Sequence, residues 1–106
     1  MQSGRLRLIT AVLAFSAIAV PAHAATVRIL MENLVVKPAE VPAKVGDTVE
    51  WTNDDIVAHT ATARNGDFDV MIPRKSKASF VPTKAGSVDY YCRFHPNMKA
   101  TLKIEP

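Results

Sequence analysis

Val88-Asp89-Tyr90-Tyr91-Cys92-Arg93-Phe94-His95-Pro96-Asn97-Met98-Lys99-Ala100-Thr101-Leu102-Lys103-Ile104-Glu105 reads as two strands joined by a tight loop. Ala100, Leu102 and Ile104 alternate with Lys99, Thr101, Lys103 and Glu105, and Val88 and Tyr90 alternate with Asp89 and Tyr91. Successive side chains of a strand point to opposite faces, so a period of two describes a strand with one face in a core and the other in water. The same period recurs upstream. Val27, Ile29 and Met31 alternate with Arg28 and Leu30; Val49 and Trp51 with Thr48, Glu50 and Thr52; Ala78 and Phe80 with Lys77, Ser79 and Val81.

Turn-forming residues punctuate these runs at short intervals: Pro38, Pro42, Gly46-Asp47, Asn53-Asp54-Asp55, Asn65-Gly66-Asp67, Pro73, Pro82 and Ala85-Gly86. After residue 24 no stretch of ten or more residues has a helical pattern, and there is no repeat, low-complexity segment or linker. The pattern predicts an all-β fold, a small Greek-key β-sandwich of about seven or eight strands.

Residues 1–24 read as a secretory signal peptide. Arg5 and Arg7 open it, an uncharged run from Leu8 to Val20 follows, Pro21 breaks the run, and Ala22-His23-Ala24 supplies small residues for cleavage after Ala24. Thirteen residues rising about 1.5 Å each span about 20 Å, too little for a hydrocarbon core of about 30 Å, so stable membrane insertion is not expected. The leader has no Arg-Arg pair and no Cys beside the cleavage site, which favours Sec-type export without a lipid anchor.

Without the leader, 82 of the 106 residues remain, residues 25–106, as one domain. Of the 13 Lys and Arg, two leave with the leader, so eleven face ten Asp and Glu and the formal charge is only +1. A nucleic-acid-binding role loses its electrostatic basis. One Cys excludes an internal disulfide and a four-cysteine zinc site. An exported domain this small, without a disulfide, calls for something else to help stabilise it, and a bound metal is one candidate.

Cys92, His95 and Met98 have a Cys-x2-His-x2-Met spacing, which lets one tight loop present a thiolate, an imidazole and a thioether to a single point. The remaining histidine of the domain, His59, lies 33 positions before Cys92, and packing of the two sheets is expected to bring it opposite the loop. Two His, one Cys and a weak axial Met are the donor set of a trigonal copper site. Four donors leave no open position for a substrate or a metal-bound water. Met71, in Val70-Met71-Ile72-Pro73, is the competing thioether.

The chain resembles the small blue copper proteins, the cupredoxins, closest to the amicyanin and pseudoazurin type. The resemblance rests on Pro38-Ala39-Glu40-Val41, Gly46-Asp47-Thr48-Val49-Glu50-Trp51-Thr52-Asn53-Asp54, the single His59, the Ala85-Gly86 turn before a Tyr-rich strand, and the ligand loop. Two-residue spacings on both sides of His95 are the short, amicyanin version of that loop. The resemblance implies that His59, Cys92, His95 and Met98 hold one copper ion in a monomeric periplasmic carrier of single electrons. Its donor would be a dehydrogenase or cytochrome and its acceptor a cytochrome c or oxidase; amine oxidation is the pathway of the amicyanin type. Two positions depart from the pattern: Phe94 stands where amicyanins have Pro, and Thr60 where the family often has Asn.

Other classes fit less well. A periplasmic copper carrier that delivers or sequesters Cu(I) would use an exposed, Met- and His-rich site, and only three Met follow the leader. A Cys-His hydrolase lacks an orienting third group. Trp51, Tyr90 and Phe80 occupy buried-phase positions and read as core. Arg93, Lys99 and Arg74-Lys75-Ser76-Lys77 are candidates for steering an acidic partner or for plain solvated surface.

Overall fold

The computed structural model describes residues 24–106. The expected leader therefore lies outside the described residues except for Ala24. Among the described residues there is no helix, and nine strands follow in order: β1 Thr26–Glu32, β2 Val35–Lys37, β3 Glu40–Lys44, β4 Thr48–Asn53, β5 His59–Ala63, β6 Asp69–Ile72, β7 Ser76–Phe80, β8 Gly86–Tyr91 and β9 Lys99–Glu105. They form two packed sheets, ordered β2-β1-β4-β7 and β3-β9-β8-β5-β6.

Only β1–β2, β5–β6 and β8–β9 are joined within one sheet; the other five connections cross from one sheet to the other. These crossings close a Greek-key sandwich, as the sequence predicts. They also create two parallel pairs, β1 with β4 and β3 with β9. Partners in a parallel pair need a long connection, and each pair encloses an excursion into the opposite sheet.

The period-two reading gives the buried faces correctly. Ile29 and Met31, Val49 and Trp51, Val88 and Tyr90, and Ala100, Leu102 and Ile104 all lie in the core. Ala78 and Phe80 are only half-buried, because β7 is an edge strand with a neighbour on one side. The strand count is nine rather than seven or eight, and the short β2 is one that alternation does not reveal. It follows a two-residue turn at Asn33-Leu34, both with positive φ, 53° and 60°. That backbone matches a type I′ hairpin, which ordinarily takes Asn-Gly; Leu34 hides the signal.

Trp51 and Tyr90 meet across the two sheets at the centre of the core, with ring centroids 5.6 Å apart in an edge-on arrangement. The Trp51 Nε1–H donates to the Tyr90 hydroxyl at 3.2 Å, so both polar handles are satisfied inside the core. Burial pushes the Tyr90 phenol up to about 12, with the Trp51 hydrogen bond opposing part of the shift. The folded value lies above the unfolded 10.0, so the neutral phenol is the favoured form. Its stabilisation is complete below pH about 10 and disappears as pH rises to about 12. Urea unfolding at stepped pH should show the wild type losing about 2–3 kcal/mol across that window. Tyr90→Phe should start about 1–3 kcal/mol lower, having orphaned the Trp51 N–H, and then stay flat. An equal alkaline decline in both proteins would assign the loss to other groups.

Candidate metal centre

Three elements converge at one end of the sandwich. β8 ends at Tyr91, the loop 92–98 follows, and β9 begins at Lys99. The loop is closed by its own main chain: Cys92 N–H donates to the Met98 carbonyl at 2.9 Å and Met98 N–H donates to the His95 carbonyl at 2.8 Å. These two bonds fold the seven residues into a compact turn that holds Cys92, His95 and Met98 close together. His59, the first residue of β5, arrives from the side. It comes from the strand paired with β8 in the same sheet, not from the opposite sheet as the packing argument expects.

The antiparallel register pairs Thr62 with Tyr91 and Ala63 with Tyr90, so the start of β5 runs alongside the residues that follow β8. His59 Nδ1 then lies 3.8 Å from Cys92 Sγ, and His95 Nδ1 lies 3.7 Å from the same sulfur. The three donor atoms fall within 4.8 Å of one another. Metal–sulfur and metal–nitrogen bonds of about 2.3 and 2.0 Å at a trigonal angle of about 120° put sulfur and nitrogen about 3.7 Å apart. The observed spacing is thus that of one ion at the centre of the three. Cys92 and His59 are buried and His95 is half-buried.

The two candidate thioethers separate cleanly. Met98 is buried and tied to the loop. Met71 is 47% exposed and stands in register with Thr60, one step out of phase with Ile72, which is opposite His59. Adjacent residues of a strand face opposite sides, so Met71 points away from the side that carries His59.

Asp55, four residues before His59, is a functional residue that the sequence does not reveal. Its Oδ2 lies 2.8 Å from His59 Nε2. The same carboxylate accepts the N–H groups of Asn33 at 2.7 Å and Leu34 at 3.0 Å. Burial works to raise its pKa, but the hydrogen bonds from His59, Leu34 and Asn33 outweigh it and hold the carboxyl below its usual range. An ionised carboxylate only accepts, so the proton of His59 sits on Nε2 and Nδ1 turns its lone pair toward the sulfur. Asn53 supports the loop that carries Asp55. Its side-chain N–H groups donate to the carbonyls of Val57, Ile72 and Pro73, and its oxygen accepts Asp55 N–H. Thr60 completes the surroundings, its N–H donating to Cys92 Sγ at 3.4 Å.

Over residues 5–104 the sequence matches the family of cupredoxin-like domains. The amicyanin of Paracoccus versutus is 30% identical over 92 residues, which make up 81% of this chain and 68% of that protein. The crystal structure of amicyanin from P. versutus matches this fold with a TM-score of 0.66 at 30% identity, covering 84% of this chain and 88% of that one. The reduced state of an amicyanin mutant with phenylalanine in place of a proline matches with a TM-score of 0.65 at 28% identity, covering 76% and 82%.

Replacing Asp55 by Ala should leave the fold intact while freeing His59 to take the wrong tautomer and orientation. Competition titration against a chromophoric chelator should then show metal affinity about 10- to 100-fold weaker than wild type. Equal affinity would mean that Asp55 serves the β1–β2 turn alone.

Proposed function

The chain belongs to the cupredoxin-like domain family, and from that premise we propose a periplasmic one-electron carrier of the amicyanin kind, with His59, Cys92, His95 and Met98 as the ligands of one copper ion. The observation that carries the reading is the spacing of one sulfur and two nitrogens at 3.7 and 3.8 Å around a shared centre. The donors suit copper in both oxidation states: thiolate and thioether are soft and favour Cu(I), and imidazole serves either. When bound, copper supplies the couple at which a single electron is held and released.

The chain's own residues do the rest. The Thr60 N–H and the buried surroundings of Cys92 keep the thiolate dry and oriented. Asp55 holds the His59 tautomer. His95, half-buried, is the edge of the site closest to solvent among its two imidazoles. Phe94 is 49% exposed beside it, and Pro96 is exposed on its other side. This apolar surround excludes water from a docked partner and suits a brief contact of small area. Redox proteins, cytochromes among them, are the partners. The thiol of Cys92 is only 1% exposed, which disfavours a hydrolytic nucleophile, and the protein is a carrier rather than an enzyme.

Export follows from residues 1–24, with cleavage after Ala24. The Ala25 N–H donates to Asp47 Oδ1 at 3.0 Å and the Ala25 carbonyl accepts Thr48 N–H at 2.9 Å. The chain is thus anchored to the sandwich from the first residue after the cleavage site, and a new α-ammonium there would face a carboxylate.

Cu(II) added to the purified protein should give an intense blue thiolate-to-copper absorption, retained on ferricyanide oxidation, bleached by ascorbate and absent from Cys92→Ser. Uptake of Cu(I) alone, with no colour after oxidation, would instead make the protein a copper carrier.

A further inference from the structure

At the end of the sandwich away from the loop 92–98, where β4 begins and β9 ends, lies a carboxylate that the metal centre does not use. Asp47 is 7% exposed and is the one buried acidic side chain among the described residues. It closes the turn between β3 and β4. Asp47 Oδ2 accepts the Lys44 N–H at 2.8 Å, and the Asp47 N–H donates back to the Lys44 carbonyl at 3.0 Å. The turn is tied on two further sides, with Val45 N–H donating to the Glu105 carbonyl at 2.9 Å and Gly46 N–H to the Pro82 carbonyl at 3.0 Å. The carboxylate is thus fixed at a corner where β3, β4 and the end of β9 meet.

The charge of this group has no partner in the unprocessed chain. The main-chain N–H groups of Lys44 and then Ala25 hold the carboxyl below its usual range against burial, and the Lys44 charge contributes least. No Lys, Arg or His of the described residues forms an ion pair with it. A buried ionised carboxylate ordinarily has a cation beside it. Here that place is taken by the Ala25 nitrogen, 3.0 Å from Asp47 Oδ1. While Ala24 precedes it, this nitrogen is a neutral amide. Hydrolysis of the Ala24–Ala25 peptide bond by a signal peptidase breaks the C–N bond and takes up one water. Ala24 leaves as a carboxylate, and the Ala25 nitrogen becomes an ammonium. The register is selective. Cleavage one residue earlier puts the charge on Ala24, one Cα step of about 3.8 Å away. Cleavage one residue later removes both the nitrogen that meets Asp47 and the Ala25 carbonyl that accepts Thr48 N–H.

We propose that Asp47 is the receptor for the α-ammonium that cleavage creates on Ala25, so that removal of the leader supplies the ion pair that closes this end of the sandwich. The proposal rests on the reading of residues 1–24 as a signal peptide cleaved after Ala24 for its timing, though not for the pairing itself. The ammonium keeps the bond to Oδ1 and adds charge to it, and a charge-assisted bond is about twice as strong as a neutral one. Thr26 pairs with Thr48 as the first step of the parallel β1–β4 ladder, so the ion pair pins the ladder where it starts. Before cleavage the buried carboxylate lacks its countercharge and the sandwich is less stable. That suits a chain which Sec-type export carries unfolded.

Residues 25–106 contain all nine strands, so the processed protein is the folded unit. Protein collected from the periplasm of cells expressing the full chain should have Ala25 as its first residue by mass spectrometry. Nα-selective acetylation restores an amide at Ala25, keeping the N–H and removing the charge. In urea titrations it should shift the equilibrium about three- to tenfold toward the unfolded state. Asp47→Asn keeps an oxygen for the N–H and is neutral, so its free and acetylated forms should unfold alike. Equal unfolding of free and acetylated wild type overturns the proposal, and so does an acetylation effect of the same size in Asp47→Asn. If Asp47→Asn does not fold, Asp47→Ser takes its place in the comparison. If the exported protein begins at another residue, the cleavage reading fails, while the same comparison on protein released from a fusion with Ala25 first still decides the pairing.

Discussion

The pairing of β5 with β8 is the constraint on which the rest of the structure depends. It places His59 beside Cys92, and it does so in a register that a strand cannot blur. A slip of one residue would carry His59 to the outer face and bring Thr60 inward, since side-chain direction alternates strictly. The core fixes that register. Ala61 and Ala63 of β5 are buried on the same side as His59, and their small volume leaves room for the stack of Trp51, Phe68 and Tyr90, whose centroids lie 5.6 to 5.9 Å apart. Larger residues at either Ala would push β5 away from the aromatic layer and move His59 with it. Packing on the inner face and the hydrogen bond from the Arg93 N–H to Thr60 Oγ1 on the outer face therefore specify one geometry from two sides.

Asp55 joins local backbone strain to the same geometry. Leu34 at φ 60° occupies a left-handed conformation that costs an L-residue other than Gly about 1–2 kcal/mol. The carboxylate offsets this by accepting both amides of the turn, and its remaining capacity goes to His59 Nε2. The β1–β2 hairpin is consequently part of the support of the metal end, although no residue of it touches the sulfur. A Gly at position 34 would relax the turn without this bond, which would leave the carboxylate less tightly committed to one orientation.

How far the sequence could be read follows from the same physics. β1, β4, β8 and β9 have one wet face and one dry face, so alternation exposes them, and Cys92, His95 and Met98 are neighbours in a loop whose spacing is visible in the chain. β5 is different. His59, Thr60, Ala61 and Ala63 are all buried, because the outer face is covered as well as the inner, and a strand buried on both sides shows no alternation. Without that alternation the sequence does not show that the strand of His59 pairs with β8, and the packing argument puts it in the opposite sheet instead. Asp69 gives no signal because its partners Thr62 and Arg93 lie across a hairpin and far along the chain, and Asp55 gives none although His59 is only four positions away, because nothing in a turn-rich Asn53-Asp54-Asp55 context distinguishes a structural carboxylate from a solvated one. Met71 and Met98 are both next to apolar residues in sequence; only strand phase separates them.

Among the described residues no buried side-chain nitrogen or oxygen lacks a hydrogen-bond partner, and the ligand loop is closed by two main-chain bonds independent of any metal. The donor atoms of His59, Cys92 and His95, within 4.8 Å of one another, are thus carried by a scaffold that these bonds hold in place. A site held in this way changes little when the charge at its centre changes by one, because the protein dipoles around it are fixed by packing and by bonds to one another rather than by the ion. This explains why a domain of such modest size, without a disulfide, devotes buried polar groups such as Asn53, Thr60 and His59 to one end of the sandwich. Those groups would weaken an ordinary core, since each must be desolvated and matched. Here every one of them is matched, and the cost of burying them is offset by a donor geometry that needs no rearrangement when an electron arrives or leaves.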